Sequence, residues 1–395
     1  MAILSEAGAN CANSSGHGAQ RVRVGTDTHA VEWLLRTVTG QGILASAHAA
    51  GERPRCQCVP ATVEMYVAKR GRRYYLARMP GSGPLHAPHC NSLEAANLLS
   101  GMDCYAEGAL AHEMDGAMRV RFDAAVELGE NLPACGMNGL LDVLIEGAGL
   151  NVVAVGAEPR VRSAEALQRL RDAATKVLLA DRGPLSRFLL VPEPFEKERA
   201  DVQNEGYLAL LASDPLPLVC STIRTLQPSE FGWLLRLKHL PRIKFWLSQT
   251  TGAALFSRCA GTLGPEDVIG SLCLLQVKQG RSTDSFSVKG IALRQIDARK
   301  MPVLSNAEMV VANELVLHGS GFVRPLRFDA PWSRVLADYL LTQDAAASLA
   351  FVFSPTGCTD YDEAKKRVAG PLIRGGIAIE LLPAGSSGES PPLGP

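Results

Sequence analysis

The sequence predicts an α+β fold, in which a β-hairpin module precedes mixed α/β domains. Two strand-like segments, residues 63–69 and 72–79, flank Arg70-Gly71, and glycine tolerates the positive φ of a hairpin turn. Further along, residues 163–181 space their apolar side chains as an amphipathic helix does. Alternating apolar residues over 218–226 predict a strand, so helices and strands are interspersed.

The composition of the chain limits the classes of protein to which it can belong. Its 395 residues suffice for two or three domains, and 47% hydrophobic residues indicate a globular protein. The 40 Lys and Arg residues balance 40 Asp and Glu, which argues against a surface coated all over with nucleic acid. A local basic face is still compatible with this balance, because affinity for phosphate follows local charge.

Targeting signals are not predicted from the sequence. The start MAILSEAGANC has neither a basic beginning nor an apolar run of useful length. No window offers the roughly 20 apolar residues of a membrane span. We therefore expect a cytoplasmic protein without membrane association, in a reducing compartment where clustered cysteines favour metal over disulfide.

The N-terminal part of the chain is predicted to hold a lead-in and two helices before the hairpin. Residues 1–25 are rich in Ala, Gly, Ser and Asn, which predicts a disordered segment. Residues 27–47 follow with apolar side chains at helical spacing, interrupted by glycines. This pattern predicts one helix, a turn at residues 40–42 and a second short helix. Together with the hairpin they form the predicted N-terminal module, residues 26–133.

Cysteine and histidine cluster at the two ends of the predicted hairpin. In RCQCVPATVEMYVAKRGRRYYLARMPGSGPLHAPHC, Cys56 and Cys58 precede the strands, whereas His86, His89 and Cys90 follow them. A hairpin brings its two ends together, and thiolates with an imidazole are the ligands of tetrahedral structural zinc sites. We predict that Cys56, Cys58, His86 and Cys90 bind zinc, with His89 as the alternative to His86. Buried free thiols beside polar histidines, or disulfides, are the competing interpretations.

The chain contains ten cysteines, and the other seven lie apart from further metal-type ligands. Their surroundings are apolar, as in the segment SLCLLQV, which is typical of buried free thiols. These seven are Cys11, Cys104, Cys135, Cys220, Cys259, Cys273 and Cys358.

The same hairpin interleaves basic and aromatic side chains. Lys69 and Arg78 accompany the run RGRRYY, which spans residues 70–75. Cations contact phosphates and aromatic rings stack on bases, so this pattern suits a nucleic-acid interface. The candidate nucleic-acid-binding residues are Arg70, Arg72, Arg73 and Tyr74. The competing interpretation is a solvated hairpin with a half-buried tyrosine face.

A central α+β domain is predicted over residues 134–300. It contains a helix at 138–146 and the amphipathic helix at 163–181, which Ser163 can cap and Glu165 can stabilise through the helix dipole. Several strands are predicted downstream of these helices. The segments concerned are 186–191, the apolar 207–211, 218–226, two strands within 231–248, and two around Gly290 within 285–297.

A C-terminal domain is predicted over residues 301–383, followed by a Gly/Ser/Pro-rich disordered tail at 384–395. An amphipathic helix at 306–317 opens this domain. Short strands and one polar helix complete it. The strands are predicted at 322–328, 338–343, 348–353 and 377–382, and the polar helix at 361–368.

Six segments, taken in order, resemble a bacterial family called domain of unknown function 1173. They are RPRCQCVP, MYVAKRGRRYYLARMPG, GPLHAPHC, LLVPEPF, LLRLKHLP and FVRPLRFDAP. The resemblance runs over residues 20–383. It implies a cytoplasmic protein of plasmids or integrative conjugative elements, which are mobile genetic elements, and it implies no particular activity. The partners expected are DNA or RNA and proteins of conjugation or plasmid maintenance.

The C-terminal part is similar to the PD-(D/E)xK nucleases, which share a restriction-endonuclease-like fold. Glu308 lies on a helix, Ala337-Asp338 stands where those enzymes have Pro-Asp, and Tyr361 starts the later helix. The resemblance implies two carboxylates holding Mg²⁺ and a lysine beside the attacking water. The strand at 349–353 has no Glu, Asp or Lys, so we expect a nuclease-like domain without catalytic residues.

We therefore expect a non-catalytic, zinc-containing protein that binds nucleic acid or a protein partner. A Mg²⁺-dependent nuclease is the first alternative, with Glu308, Asp329 or Glu363 as its second carboxylate. The second alternative is a structural or regulatory protein that binds other proteins while zinc holds its fold. The phosphate-loop, nucleophile-elbow and H-E-x-x-H motifs do not occur in the sequence, which argues against those enzyme classes.

Overall fold

The computed structural model describes most of the chain, which divides into two compact units, Met1–Glu94 and Ala95–Pro395. Helices and several sheets occur together, which confirms the predicted α+β class. The domain limits predicted at residues 133 and 300 remain predictions. The described residues are 20–59, 62–71, 73–79, 82, 86, 90, 92, 99–113, 116–258, 261–262, 266, 268–341, 350–353, 359–374 and 379–381.

The first unit combines one sheet with two short helices within its described residues. Its elements are β1 (Arg21–Val24), β2 (Asp27–Ala30), α1 (Val31–Arg36), α2 (Val38–Ala49), β3 (Arg55–Cys56), β4 (Val63–Arg70) and β5 (Arg73–Arg78). The strands form an antiparallel sheet with the order β2-β1-β3-β4-β5. Strands β4 and β5 are the predicted hairpin. Gly71 lies at its turn with a φ of 59°, a conformation that favours glycine.

The predicted turn at residues 40–42 is wrong, because Thr37 separates the two helices instead. The Thr37 side chain accepts a hydrogen bond from the Gly40 N–H at 3.0 Å and caps α2. Gly40 lies inside α2, where an added Cβ would stand 2.5 Å from the Leu34 Cα. Glycine at this position therefore allows α1 and α2 to approach closely, rather than forming a turn.

The core of the first unit lies where α1 and α2 pack on the sheet. Its buried members are Val22, Val24, Leu34, Leu44, Ala47, Cys56, Val63, Met65, Val67 and Cys90. Strand β1 belongs to the segment 1–25 that was predicted as a disordered lead-in, and it is ordered because Val22 and Val24 pack into this core. Residues 1–19 and the predicted tail at 384–395 lie outside the described residues.

The first half of the second unit arranges short strands around three helices. Its elements are β6 (Leu110–His112), β7 (Met118–Val120), α3 (Met137–Gly147), β8 (Val152–Val153), α4 (Ser163–Thr175), β9 (Val177–Leu179), β10 (Gly183–Pro184), β11 (Leu189–Leu190), α5 (Ala200–Ala212) and β12 (Leu218–Ser229). Helices α3 and α4 begin where they were predicted, although α4 ends earlier and β9 follows it directly. The apolar segment 207–211 belongs to α5.

The second half of this unit is richer in strands. Its elements are β13 (Gly232–Leu237), β14 (Lys244–Ser248), α6 (Gln249–Phe256), β15 (Ser257–Arg258), β16 (Gly261–Thr262), β17 (Leu272–Gln279), β18 (Ser285–Ile296), β19 (Pro302–Val303), α7 (Asn306–Leu317), β20 (Phe322–Val323), β21 (Tyr339–Leu341), β22 (Ala350–Phe353), α8 (Thr359–Arg374) and β23 (Ile379–Leu381). Strand β18 is continuous, so the prediction of two strands around Gly290 is wrong. An added Cβ at Gly290 would lie 3.4 Å from the Met137 Cγ, so this glycine makes room for α3.

Three larger sheets and one two-stranded sheet organise the described part of the second unit. The first has the order β10-β9-β7-β6. The second has the order β11-β12-β13-β14-β18-β17, with β19 beside β18 and a further pairing of β12 with β17. The third has the order β23-β22-β21-β20-β8, so it joins a strand that precedes α4 to strands that follow α7. The two-stranded sheet pairs β15 with β16.

Helix α3 lies at the centre of the larger core of the second unit. Eight of its 11 residues are buried, so the prediction of a single apolar side was too narrow. Among them is Asp142, which accepts two hydrogen bonds of 2.8 Å from the Arg294 guanidinium and one of 2.7 Å from the Phe328 N–H. These bonds satisfy the buried carboxylate and tie α3 both to β18 and to the segment before β21.

Candidate metal centre

Four side chains of the first unit converge at the base of the hairpin. They are Cys56, Cys58, His86 and Cys90, and their ligand atoms all lie within 4.8 Å of one another. The Sγ atoms of Cys56 and Cys90 are 3.5 Å apart. The Nδ1 atom of His86 lies 3.4 Å from the Cys58 Sγ and 3.5 Å from the Cys90 Sγ. The structure thus brings together the whole set predicted from the sequence, whereas His89 lies outside the described residues.

Strand pairing explains why two thiols from one end of the hairpin face the same point. Cys56 ends β3, where it pairs with Val22 of β1 and Val63 of β4. Gln57 points the other way and donates a hydrogen bond to the Thr28 hydroxyl at 3.0 Å. Side chains two residues apart in extended chain share a face, so Cys58 returns to the side of Cys56.

The spacing of the four ligand atoms fits a tetrahedral zinc ion. Zn–S bonds of about 2.3 Å and Zn–N bonds of about 2.0 Å imply edges of roughly 3.8 Å between sulfurs and 3.5 Å between sulfur and nitrogen. Three of the six separations, at 3.4 to 3.5 Å, come within a few tenths of these edges, and all six are within 4.8 Å. Soft thiolates and an imidazole also match the chemistry that zinc prefers. The residues present therefore fit the metal.

Burial of the cluster indicates a structural rather than a catalytic metal. Cys56 is fully buried, and His86 and Cys90 are at most 4% exposed. Four protein ligands fill a tetrahedral shell, which leaves no position for water or substrate. The arrangement can stabilise the first unit, and it offers no open site for chemistry.

The ionisable groups of the cluster shift one another's pKa values. Burial lowers the pKa of His86, but hydrogen bonds to Cys56 and Cys58 and the charge of their thiolates outweigh it and raise the value to about 9. Hydrogen bonds from Cys58 and Cys90 hold the pKa of Cys56 far below its usual range. Hydrogen bonds to Cys56 and Cys58 raise the pKa of Cys90. A metal ion binds thiolates and a neutral imidazole, so its binding would release protons from the cluster.

Two polar residues outside the tetrad support its sulfur atoms. Gln20 donates from Nε2 to the Cys90 Sγ at 3.1 Å and to the Cys56 Sγ at 3.6 Å. The backbone N–H of Ser92 donates to the Cys90 Sγ at 3.4 Å, and Gln20 also bonds the Ser92 hydroxyl. Such N–H donors offset the negative charge of metal-bound thiolates. No local pattern in the sequence marks Gln20, which lies 36 residues before Cys56.

The hairpin places its predicted nucleic-acid-binding residues on different faces. Arg73 is exposed, whereas Tyr74 is half-buried in the core of the unit. The backbone of Tyr74 exchanges hydrogen bonds with the Gln41 side chain at 2.9 and 3.0 Å, and its ring lies 5.4 Å from that of His48. The Arg70 side chain and all of Arg72 lie outside the described residues.

The exposed side chains of the hairpin are nevertheless mainly basic. Lys69, Arg73 and Arg78 are exposed, and Tyr75 is 38% exposed. Tyr75 pairs with Ala68 across the hairpin, so a small side chain leaves one ring face accessible. Tyr75, rather than Tyr74, is therefore the tyrosine of this pair with the more accessible ring. Sequence reasoning missed this because adjacent tyrosines cannot be assigned to faces until the strand register is known.

The carboxylates proposed for a nuclease site are engaged in other contacts. Glu308 is fully buried and pairs with Arg324. Asp338 accepts two hydrogen bonds of 2.8 Å from Lys365, which reaches it from α8. Asp338 also lines a cavity of 980 Å³ in the second unit. Lys365 is thus buried in an ion pair.

The other two candidate carboxylates lie elsewhere. Asp329 accepts hydrogen bonds from the N–H groups of Gly136 and Gly139 and from the Tyr105 hydroxyl, at 2.6 to 3.0 Å. It therefore caps the first turn of α3. Glu363 is exposed on α8. The resemblance to nucleases stays a prediction.

Comparisons with known proteins give one result that covers most of the chain. A search of curated proteins finds no match. Among the described residues, none of the helices combines the length and the apolar character needed to cross a lipid bilayer. The family described as protein of unknown function (DUF1173) matches residues 36–135 and 129–372, which include the hairpin, the four tetrad residues and parts of both compact units. The chain belongs to this family.

Proposed function

We propose that the protein is a non-catalytic, zinc-containing protein of a bacterial mobile element, and that its first unit binds nucleic acid. The observation that carries this proposal is the buried tetrad of Cys56, Cys58, His86 and Cys90 beneath a hairpin with exposed basic side chains. Zinc holds the hairpin, and the hairpin presents cations to phosphate. The setting in a plasmid or integrative conjugative element rests on the family resemblance.

The small core of the first unit supports the need for a metal. That core contains ten buried residues, and two of them are the tetrad cysteines Cys56 and Cys90. Small units with few apolar residues commonly require a metal or disulfides to fold. A structural zinc site supplies about 10 kcal/mol toward folding, which is of the order of the stability of a whole domain.

The distribution of charge supports a polyanionic partner for the first unit. Residues 1–94 contain ten Lys and Arg against six Asp and Glu, whereas the whole chain is balanced at 40 of each. Five of the ten cations lie in the hairpin or its turn, within residues 69–78. Concentrated positive charge attracts phosphates even when the net charge of the protein is zero.

Filter binding of DNA and RNA at several salt concentrations tests this proposal. The double variant Lys69→Gln/Arg73→Gln should bind more weakly, and its salt slope should fall by roughly one unit for each phosphate contact removed. Arg36→Gln is the matched control, because Arg36 is an exposed cation of the same unit that belongs to α1 and not to the hairpin. Absence of binding at low salt, or equal slopes for the wild type and the double variant, would refute the nucleic-acid part.

A Mg²⁺-dependent nuclease is the second candidate function. The observation that favours it is the position of Asp338, which lines the 980 Å³ cavity and has Lys365 2.8 Å away. A lysine beside a carboxylate in a cavity can serve phosphodiester hydrolysis once a second carboxylate, such as Glu308, joins it. Plasmid nicking with Mg²⁺ or Mn²⁺ tests this. Equal activity of the wild type and Asp338→Asn would exclude Asp338 from catalysis.

A further inference from the structure

The second unit contains a closed barrel of five strands. Strand β12 pairs with β17 through residues 218–222 and with β13 through residues 223–229. The path continues through β14 and β18 and returns to β17, so the ring closes. One pair, β14 with β18, is parallel, and α6 lies in the chain between β14 and β17. This strand order, with a helix after the third strand, is that of the oligonucleotide- and oligosaccharide-binding barrel.

Barrels of one topology serve many functions, so a function can be inferred only from the side chains on the barrel surface. Leu235, Phe245 and Leu247 fill the inside of β13 and β14 and are at most 2% exposed. Alternation then turns Leu234 and Trp246 outward, where they pair directly across the two strands. Trp246 is 38% exposed, so its ring is accessible from solvent.

Beyond Leu234, the described residues that continue the row of Trp246 are polar. Gln227 of β12 pairs with Leu234, and Ser287 of β18 pairs with Trp246, so four strands contribute to one outer row. The buried core of a protein–protein interface is more apolar than this row of mixed side chains. An aromatic ring set among polar side chains suits a ligand with flat faces and polar edges.

The loops beside this row carry a second aromatic residue and several cations. Phe231, in the loop between β12 and β13, is 81% exposed. Lys278 and Arg281, at the loop between β17 and β18, are exposed as well. Lys244, at the start of β14, forms a half-exposed ion pair of 3.2 Å with Asp284 of the same loop. Cations therefore stand at the edge of the aromatic row, where a charged backbone would pass.

We infer that the β13–β14 face of this barrel binds single-stranded nucleic acid, with Trp246 and Phe231 stacking on bases and Lys278 and Arg281 contacting phosphates. Unpaired bases expose their flat faces, which a duplex hides between its stacked pairs. Positive charge beside the rings matches the phosphodiester backbone. This site lies in the second unit and does not depend on the metal centre or on the hairpin.

Fluorescence anisotropy with a labelled oligothymidylate, an oligouridylate and a duplex of equal length tests the inference on the full chain. Trp246→Ala and Phe231→Ala should each weaken single-strand binding by roughly fivefold to a hundredfold, the loss of one stacked base. Trp246→Phe should retain most of the affinity. Leu317→Ala is the control, because Leu317 is an apolar side chain 76% exposed on α7.

Two further comparisons separate this site from the hairpin. Lys278→Gln/Arg281→Gln should reduce the salt slope for the single strand, whereas Arg160→Gln, an exposed cation outside the barrel, should not. Lys69→Gln/Arg73→Gln should leave the effect of Trp246→Ala unchanged. Binding of either single strand supports the inference, and the preferred one shows whether the ligand is DNA or RNA. The inference would be overturned if the protein did not bind single strands, or if Trp246→Ala and Phe231→Ala left the single-strand affinity unchanged. It would also be overturned if duplex binding depended equally on these two rings.

Discussion

Single polar residues hold distant parts of the second unit together. Asp329 illustrates this, because it caps α3 from 190 to 193 residues away along the chain. Asp142 lies on α3 itself and accepts a hydrogen bond from the N–H of the distant Phe328. No local pattern marks either residue, so the sequence indicated Asp329 only as a possible second carboxylate of a nuclease site. Its role depends on long-range contacts that the sequence does not display.

Replacing Asp329 tests its capping role. Asp329→Asn keeps one acceptor but turns an NH₂ group toward the donors of Gly136, Gly139 or Tyr105. We expect a loss of roughly 1–3 kcal/mol in the free energy of unfolding, the cost of an unsatisfied buried group. Asp123→Asn, an exposed aspartate that bonds the Ala125 N–H, should change much less. Urea unfolding followed by circular dichroism provides the comparison, and equal stability of both variants would contradict the capping role.

His239 makes the second unit sensitive to acid. Burial, with a smaller effect of the Lys238 charge, lowers the pKa of His239, and its Nδ1 accepts a hydrogen bond from the Phe195 N–H at 3.1 Å. The unfolded chain therefore takes up this proton more readily than the folded chain. Stability should be complete above the unfolded value of about 6.5 and should fall as the pH drops below it.

The variant His239→Asn isolates this effect. Asparagine tolerates the positive φ of 64° at this position and can also accept the hydrogen bond. The thermal midpoint of the wild type should fall more steeply below about pH 6.5 than that of the variant. Parallel curves for the two proteins would show that His239 does not titrate on unfolding.

At the scale of elements, local patterns predicted the hairpin and α7 well, and they predicted where α3 and α4 begin. Each has a signal that acts over a few residues, such as a turn glycine, a cap or a helical spacing of apolar side chains. Ser305 accepts from the Glu308 N–H at 3.1 Å at the start of α7, and so provides such a cap. The failures at residues 40–42 and at Gly290 share one cause, because both glycines serve close packing between elements. A glycine that forms a turn and a glycine that allows close packing cannot be distinguished from the sequence.

The contact between α8 and β21 depends on a buried ion pair. Asp338 and Lys365 are each 2% exposed and lie 2.8 Å apart. Removing one charge leaves the other buried, which costs roughly 3–5 kcal/mol. Lys365→Met should therefore destabilise the protein by about that amount, whereas Asp338→Leu/Lys365→Met should restore most of the loss. Unfolding free energies of the wild type, Lys365→Met, Asp338→Leu and the double variant complete a double-mutant cycle that tests this.

Lys366→Met is the matched control for this cycle. Lys366 neighbours Lys365 on α8 but is exposed, so its replacement should change stability by less than about 0.5 kcal/mol. If Lys365→Met proved as mild as Lys366→Met, the buried pair would not hold α8 in place.

At the scale of the whole molecule, the metal tetrad could be predicted and the barrel could not. The ligands bracket a hairpin, and a hairpin is a local element, so the sequence alone indicated that its ends meet. The barrel closes through pairings such as Leu218 with Gln276, which are 58 residues apart. Sequence reasoning recognised strands within residues 231–248 but could not tell which other strands would lie beside them. The outward position of Trp246 follows only from that arrangement.

The central claim is that a zinc ion holds the first unit, and the metal content of the purified full chain tests it most directly. We predict one zinc ion per chain in the wild type and in Cys273→Ala, whose thiol is buried in the second unit. Cys56→Ser and Cys90→Ser should lose the zinc, and protease should then cleave β1 to β5 while the second unit stays resistant. A wild-type protein purified without chelators that holds no zinc, or equal zinc in all four proteins, would contradict the claim.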